Sequence, residues 1–256
     1  AVVPCVATIG FFDGVHRGHK YLIQQVNSIA KACGLASTVI TFDRHPRQVL
    51  QSDYVPQLLN PLDRKLLLLS NAVVLPFDAS VAQLSAYDFM KEVLRNRLNV
   101  KKLVIGYDNR FGHNRTETFE DYVRYGHELG IEVIHHTAFE LHGVNISSSV
   151  IRGFLQEGEV EMATLCLGYP YTLIGKVVHG FAQGRLMGFP TANMDVAESG
   201  QLIPATGVYA VNVKLKNQLH LLHGMMNIGR RPTFNGTALS LEVNIFNFRG
   251  DLYGEL

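Results

Sequence analysis

Gly10-Phe-Phe-Asp-Gly-Val-His-Arg-Gly-His19 is the stretch that decides how this chain is read. It lies between a short apolar run, Cys5 to Ile9, and a helix pattern over His19 to Cys33 in which Leu22, Val26, Ile29, Ala30 and Cys33 recur at helical spacing. Gly10, Gly14 and Gly18 let the backbone approach a ligand closely. The helix behind them offers unpaired N–H groups and the positive end of its dipole, a ready anion site. His16 and His19 stand at that end and can donate hydrogen bonds to phosphate oxygens. The spacing matches neither a Gly-Lys-Ser/Thr phosphate loop nor the G-x-G-x-x-G dinucleotide fingerprint. On spacing alone, three readings stand: a glycine-rich turn with two capping histidines, a metal pair at i,i+3, and a nucleotide-phosphate loop.

Outward from this segment, strand and helix patterns alternate. Gly34 stops the first helix, and Leu35 to Phe42 is rich in β-branched residues, as a strand should be. Asn60 and Pro61, with Asp63 in the first turn, start a second helix. Ala72 to Phe77 reads as a third strand, and Ser85 caps a helix running to Leu98. Lys102 to Tyr107 is a fourth strand, Thr118 to Leu129 a helix closed by Gly130, and Ile131 to His135 a fifth strand. Such alternation predicts a parallel sheet of about five strands covered on both faces, with ligands beyond the carboxyl ends of the strands. The loops after Ile9, Phe42 and Ile105 are therefore the places to look.

Ser148 to Leu167 is helical with a break at Gly158. After Gly168-Tyr169-Pro170 the texture changes to short runs, Tyr171–Val178, Gly207–Leu215, Leu219–Asn227 and Leu239–Phe248, set between Gly, Pro and Asn clusters. That predicts an antiparallel sheet or small barrel. The expected division is a first domain over 1–167 and a second over 168–256, with no internal repeat or low-complexity segment.

Composition narrows the classes. Hydrophobic residues make up 47% and charged residues 18%, ordinary for a soluble globular protein. A net charge of +1 gives no bulk attraction for nucleic acid, so a phosphate ligand needs a local site. Cys5, Cys33 and Cys166 are odd in number and lack a C-x-x-C pair, which fits reduced thiols in a cytoplasmic protein. The longest apolar run, Leu66 to Leu69, is far too short to span a bilayer. Val2-Val3-Pro4 has no basic segment of the secretory kind. Small-molecule substrates are expected, without nucleic-acid or membrane partners; nothing in the sequence specifies an oligomeric state. Ala1 is not an initiator methionine, and Tyr253-Gly254-Glu255-Leu256 begins a strand pattern, so both ends read as clipped.

The H-x-G-H arrangement at His16 and His19 resembles the first signature of the nucleotidyltransferase superfamily, and its surroundings, F-D-G-V-H-x-G-H, resemble the FMN adenylyltransferases. Thr41-Phe-Asp-Arg-His-Pro46 is similar to that family's T-F-D-P-H-P, with Arg44 replacing proline. Ile105-Gly-Tyr-Asp-Asn-Arg-Phe-Gly112 resembles its G-x-D-F-x-F-G, with Asn109 in place of an aromatic residue. Ile146-Ser-Ser-Ser-Val-Ile-Arg152 resembles the second signature, I-S-S-T-x-I-R, with Ser149 replacing threonine. Beyond Gly168, Gly188-Phe-Pro-Thr-Ala-Asn193 resembles the riboflavin kinase signature G-x-P-T-A-N. Pro204–Ala210, Asn227–Phe234 and Leu241–Phe248 before Asp251–Gly254 agree with it. The whole resembles the bifunctional riboflavin kinase/FMN adenylyltransferase family, the prokaryotic FAD synthetases.

The resemblance implies a Rossmann-like domain followed by a six-stranded β-barrel, and two ATP-dependent steps: riboflavin to FMN, then FMN to FAD with release of pyrophosphate. It implies ATP contacts at Gly10, Phe11, Asp13, His16, His19, Ser147, Ser148 and Arg152, and flavin contacts at Asp43, His45, Pro46, Asp108 and Phe111. In the second domain it implies ATP contacts at Gly175, Gly180, Gly184, Arg185, Gly188, Pro190, Thr191 and Asn193, with Thr191 and Asn193 holding Mg²⁺. Glu242 would be the base acting on the riboflavin hydroxyl. The family pattern continues past Leu256, so the second domain is expected to be incomplete there. Two alternatives stand beside the bifunctional enzyme: an adenylyltransferase whose second domain only binds flavin, and a flavin carrier without turnover. The presence of His16, His19, Arg152, Thr191, Asn193 and Glu242 favours chemistry over the carrier.

Overall fold

In a computed structural model, residues 2–106, 110–137, 139–141, 143–178, 191–216, 218, 220–233, 236–248, 250 and 252–254 are described. Asp108, Asn109, Gly180, Gly184, Arg185, Gly188 and Pro190 lie outside them. Contacts divide the chain into two units. The first comprises Ala1–Pro56, Asn60–Ser148 and Cys166–Gly168; the second comprises Gln57–Leu59, Ser149–Leu165 and Tyr169–Leu256.

The first unit is built on five parallel strands, β1 (Cys5–Ile9), β2 (Ala36–Phe42), β3 (Ala72–Leu75), β4 (Val100–Ile105) and β5 (Glu132–His135), in the order β3-β2-β1-β4-β5. The chain winds outward from β1 to β3, then crosses back to β4, so the strand order reverses beside β1. That reversal opens the crevice where α/β sheets take ligands. Every residue of β1 is buried, as expected of a strand covered on both faces. Its alternation decides which helices cover which face. Cys5, Ala7 and Ile9 pack in one core with Phe89, Met90, Leu94 and Tyr122. Val6 turns to the other, with Leu22, Ile23, Val26 and Ala30 of α1 (Arg17–Cys33).

The remaining helices of this unit are α2 (Pro46–Leu50), α3 (Leu62–Leu68), α4 (Ala79–Gln83), α5 (Ala86–Asp88, continued by a π-helix over Phe89–Arg97) and α6 (Phe119–Leu129). Their ends obey the expected chemistry. Gly34 and Gly130 close α1 and α6 in the left-handed region, at φ 65° and 69°. Ser85 and Thr118 cap α5 and α6 through their side chains. The helix expected from Ser85 to Leu98 is present, but most of it has π geometry. A short hairpin, β6 (Glu140–Leu141) with β7 (Val144–Asn145), follows the sheet.

Two helices, α7 (Ser148–Glu157) and α8 (Val160–Leu167), are separated by Gly158 at φ 82°. Although they precede Gly168, most of their residues group with the second unit, where the Ala205 amide donates to the Leu155 carbonyl at 2.9 Å. That unit's sheet is antiparallel and contains β8 (Lys176–Val178), β9 (Ala192–Asp195), β10 (Gly207–Val213), β11 (Leu222–Thr233) and β12 (Gly236–Ile245), in the order β10-β11-β12-β9-β8. Five strands form it among the described residues, where six were expected. Its core gathers Val196, Met226, Ile228, Leu241 and Val243 on one face. Cys5, Cys33 and Cys166 are free thiols. Among the described residues, no helix is long and apolar enough to cross a membrane.

Candidate active site

The chain leaves β1 through a strained turn. Phe12 and Val15 have φ of 54° and 38°, a region that side chains with a Cβ avoid. Both are buried, at 3% and 0% exposure, so packing holds them there. The Val15 amide donates to the Phe12 carbonyl at 3.1 Å, and the Gly10 amide to the Ile40 carbonyl at 3.0 Å. Strain maintained at this cost marks a loop whose shape has a use. A Cβ at Gly18 would stand 3.2 Å from the His16 ring and 3.4 Å from the Ile146 carbonyl, so glycine there admits the segment ahead of α7 to the start of α1.

His16 is the N-cap of α1, and its Nδ1 accepts a hydrogen bond from the His19 amide at 3.3 Å. That bond occupies the Nδ1 lone pair and leaves Nε2 as the donor. The two rings stack, with centroids 3.5 Å apart. Among the described residues, the buried Nδ1 of His19 has no hydrogen-bond partner. Burial, with the neighbouring His16 and Lys65 adding to it, holds the His19 pKa well below the ordinary histidine value. His19 is therefore a neutral imidazole at physiological pH.

Asp13 and Ser148 knit this loop to its surroundings. The Asp13 carboxylate accepts from the Asn60 amide at 3.3 Å, and the Ser148 hydroxyl donates to the Asp13 carbonyl at 2.8 Å. Ser147 is half-buried just before α7. Arg152 lies in the second unit, where its Nε donates to the Gln57 carbonyl at 2.8 Å.

The loop after β2 lies beside the phosphate loop. Phe11 meets His45 edge to face at 4.8 Å, and the Thr41 hydroxyl donates to the Phe11 carbonyl at 3.1 Å. Asp43 accepts from the Phe77 amide at 2.9 Å and is approached by Arg44 at 3.4 Å, a weak exposed contact. His45 caps α2, whose first residue is Pro46. Phe111, from the loop after β4, is 9% exposed; it stacks on Tyr122 at 4.5 Å, and that hydroxyl donates to its carbonyl at 2.9 Å. The three loops expected at the carboxyl ends of β1, β2 and β4 are thus present, and the first two meet at Phe11.

A residue that the pattern reading passed over sits where they meet. Lys65 is 2% exposed, and its ammonium donates to the carbonyls of Phe11 and Phe42, both at 3.0 Å. The signal was available: Leu68 and Leu69 follow Lys65 by three and four residues, which puts a lysine on the apolar face of α3.

In the second unit the strand register builds a polar row. Glu242 pairs with Asn227 on one side and Asn193 on the other. Leu241 and Val243 are buried in the core, so Glu242 projects from the opposite face. Thr191 immediately precedes β9 and is half-buried. Gly175 has a local structural reason as well: a Cβ there would overlap the Asp195 carbonyl.

Residues 2–150 match the family model described as FAD synthetase, and residues 167–256 match the one described as riboflavin kinase. The bifunctional riboflavin kinase/FMN adenylyltransferase of Haemophilus influenzae is 37% identical over 98% of this chain and 82% of its own length. Its counterpart in Escherichia coli strain K12 is 38% identical over 98% of this chain and 80% of its own, and that of Bacillus subtilis 36% over 97% and 80%. A solved structure described as a macrolide-efflux protein from Streptococcus pneumoniae superposes with a TM-score of 0.86 at 33% identity, covering 98% of this chain and 83% of that one. The efflux description belongs to that protein; the shared feature is the fold.

Proposed function

The chain belongs to the bifunctional riboflavin kinase/FMN adenylyltransferase family, and on that premise we propose how its residues divide the two steps of FAD synthesis. The observation that carries the proposal is the strained, buried loop that delivers His16 and His19 to the start of α1.

In adenylyl transfer, an FMN phosphate oxygen attacks the α-phosphorus of ATP, the α–β bridging bond breaks, and pyrophosphate leaves. The step requires alignment and neutralisation of spreading negative charge rather than a covalent nucleophile. His16 donates from Nε2 to the phosphates, and neutral His19 beside it gives directional hydrogen bonding. Gly10, Phe11 and Asp13 shape the nucleotide pocket, and Ser147, Ser148 and Arg152 serve the triphosphate and the departing pyrophosphate. Asp43, His45 and Pro46 form the flavin side of the same site, with Asp108 and Phe111.

In phosphorylation, Glu242 takes the proton of the riboflavin 5′-hydroxyl as that oxygen attacks the γ-phosphorus and ADP leaves. Thr191 and Asn193 offer the hard oxygen donors that suit Mg²⁺, and Asn193 lies in register with Glu242. Bound Mg²⁺ would neutralise phosphate charge. The glycine-rich stretch from Gly175, with Gly180, Gly184, Arg185, Gly188 and Pro190, supplies the rest of this ATP site. The setting that fits these soluble substrates is the cytoplasm.

The test is chromatographic product analysis with ATP and Mg²⁺, supplying either riboflavin or FMN. FMN from riboflavin and FAD from FMN are expected. Flavin binding without either product would overturn the assignment in favour of a carrier.

A further inference from the structure

The backbones that leave β1 and β2 are joined by one buried cation. The Lys65 ammonium spans the Phe11 and Phe42 carbonyls at 3.0 Å each, and it stands 4.0 Å from the centroid of the Phe11 ring. Those two oxygens accept its hydrogen bonds, and the ring face adds a cation–π contact. Its grip falls on the residue that opens the phosphate loop and the residue that opens the Asp43–His45 loop.

We infer that Lys65 is a positioning residue for adenylyl transfer, fixing the β1 and β2 loops against each other and placing a positive charge beneath the phosphate loop. This rests on the adenylyltransferase reading of the first unit. A neutral residue of similar length could fill the space, yet it would take the ammonium donor from the buried Phe42 carbonyl, leave the Phe11 carbonyl to the Thr41 hydroxyl, and remove the charge.

Groups facing the ammonium set when the charge is lost. They are Asp13 on the phosphate loop, Asp43 after β2, and His19 at the start of α1. Burial lowers the Lys65 pKa to about 8, against the opposing pull of Asp13 and Asp43. The cation therefore predominates at neutral pH and is lost as pH rises through about 8. FMN and ATP do not titrate in that interval, because phosphate second ionisations lie near pH ~6.

Lys65→Met in the whole chain tests this, with riboflavin phosphorylation as the internal control. The expected result is a fall of about a hundredfold in FAD formation from FMN, the scale of a misplaced reacting group, with FMN formation kept within about twofold. In wild type, kcat/KM for FMN should decline as pH rises through about 8, and that limb should vanish in the variant. In the free protein, NMR titration should show the His19 pKa moving upward in Lys65→Met, since one of the charges holding it down is gone. This last reading needs no turnover. If wild type makes no FAD, the adenylyltransferase reading falls, while the His19 shift still decides the role of Lys65. FAD formation within about threefold of wild type, or an unmoved His19, overturns the inference. If the variant loses both activities, the wild-type pH profile decides, and a flat profile overturns it.

Discussion

The rings of His16 and His19 stack with centroids 3.5 Å apart and planes inclined by 19°. At that separation two imidazolium ions would repel strongly, and burial already holds His19 neutral. The pair is therefore a set of directional donors and acceptors fixed by α1, with the His19 amide anchoring the His16 ring. His16→Ala should reduce FAD formation by at least about a hundredfold, in the upper part of the range for a positioned catalytic group. It should also cost about 1 kcal/mol through the lost cap. Steady-state kinetics with FMN check it; a loss under about threefold would remove the phosphate-loop assignment.

Acid should weaken the first unit through His19. Its folded pKa lies below the ordinary 6.5, so the unfolded chain takes up a proton first as pH falls. The stability this group contributes is full above pH 6.5 and is lost progressively toward its lowered folded pKa. His19→Asn should therefore lose less Tm than wild type between about pH 7 and about pH 5.5. Equal losses in the two proteins would assign the acid sensitivity to another group.

The two activities should separate by mutation. Glu242 shares a cross-strand row with Asn227 and Asn193 and projects away from the core formed by Leu241 and Val243. Glu242→Gln keeps the shape of the side chain and removes the base. FMN formation should fall by about a hundredfold or more, while FAD formation from supplied FMN stays within about twofold. Retention of FMN formation would remove Glu242 from the mechanism.

Gly112 is required by space as well as by backbone angle. At φ 94° a Cβ would stand 2.7 Å from the Ala86 amide nitrogen at the start of α5. Gly112→Ala should destabilise the first unit by about 2–4 kcal/mol, combining left-handed strain with overpacking. Urea unfolding measures this, and a change below about 0.5 kcal/mol would mean that the α5 start yields freely.

Much of this was legible before any coordinates. The alternation of β1, α1 and β2, the stops at Gly34 and Gly130, the caps at Ser85 and Thr118, and the break at Gly158 all follow from local rules that act within one turn of chain. The loops after Ile9 and Phe42 could be singled out because a parallel sheet exposes the carboxyl ends of its strands on one side. What stayed hidden depends on long-range packing. The π geometry of Phe89–Arg97 has no short-range signature. The grouping of α7 with the second unit arises from contacts such as Ala205 with Leu155, fifty residues apart. Lys65 was passed over because an isolated lysine reads as a solvated charge, and only its i+3 and i+4 leucines betray the apolar face. Asp43 and Phe111 were singled out as ligand contacts by resemblance; their bonds to Phe77 and Tyr122 belong to the fold, which no motif could indicate.

The most direct test follows the phosphorus atom that moves. The protein is incubated with FMN, Mg²⁺ and ATP carrying label at the α-phosphorus, and flavins are separated from pyrophosphate. The account predicts label in FAD, none in pyrophosphate, and labelled FAD formed at least about a hundredfold more slowly by His16→Ala. Absence of labelled FAD from wild type, with FMN bound and ATP unconsumed, would contradict it.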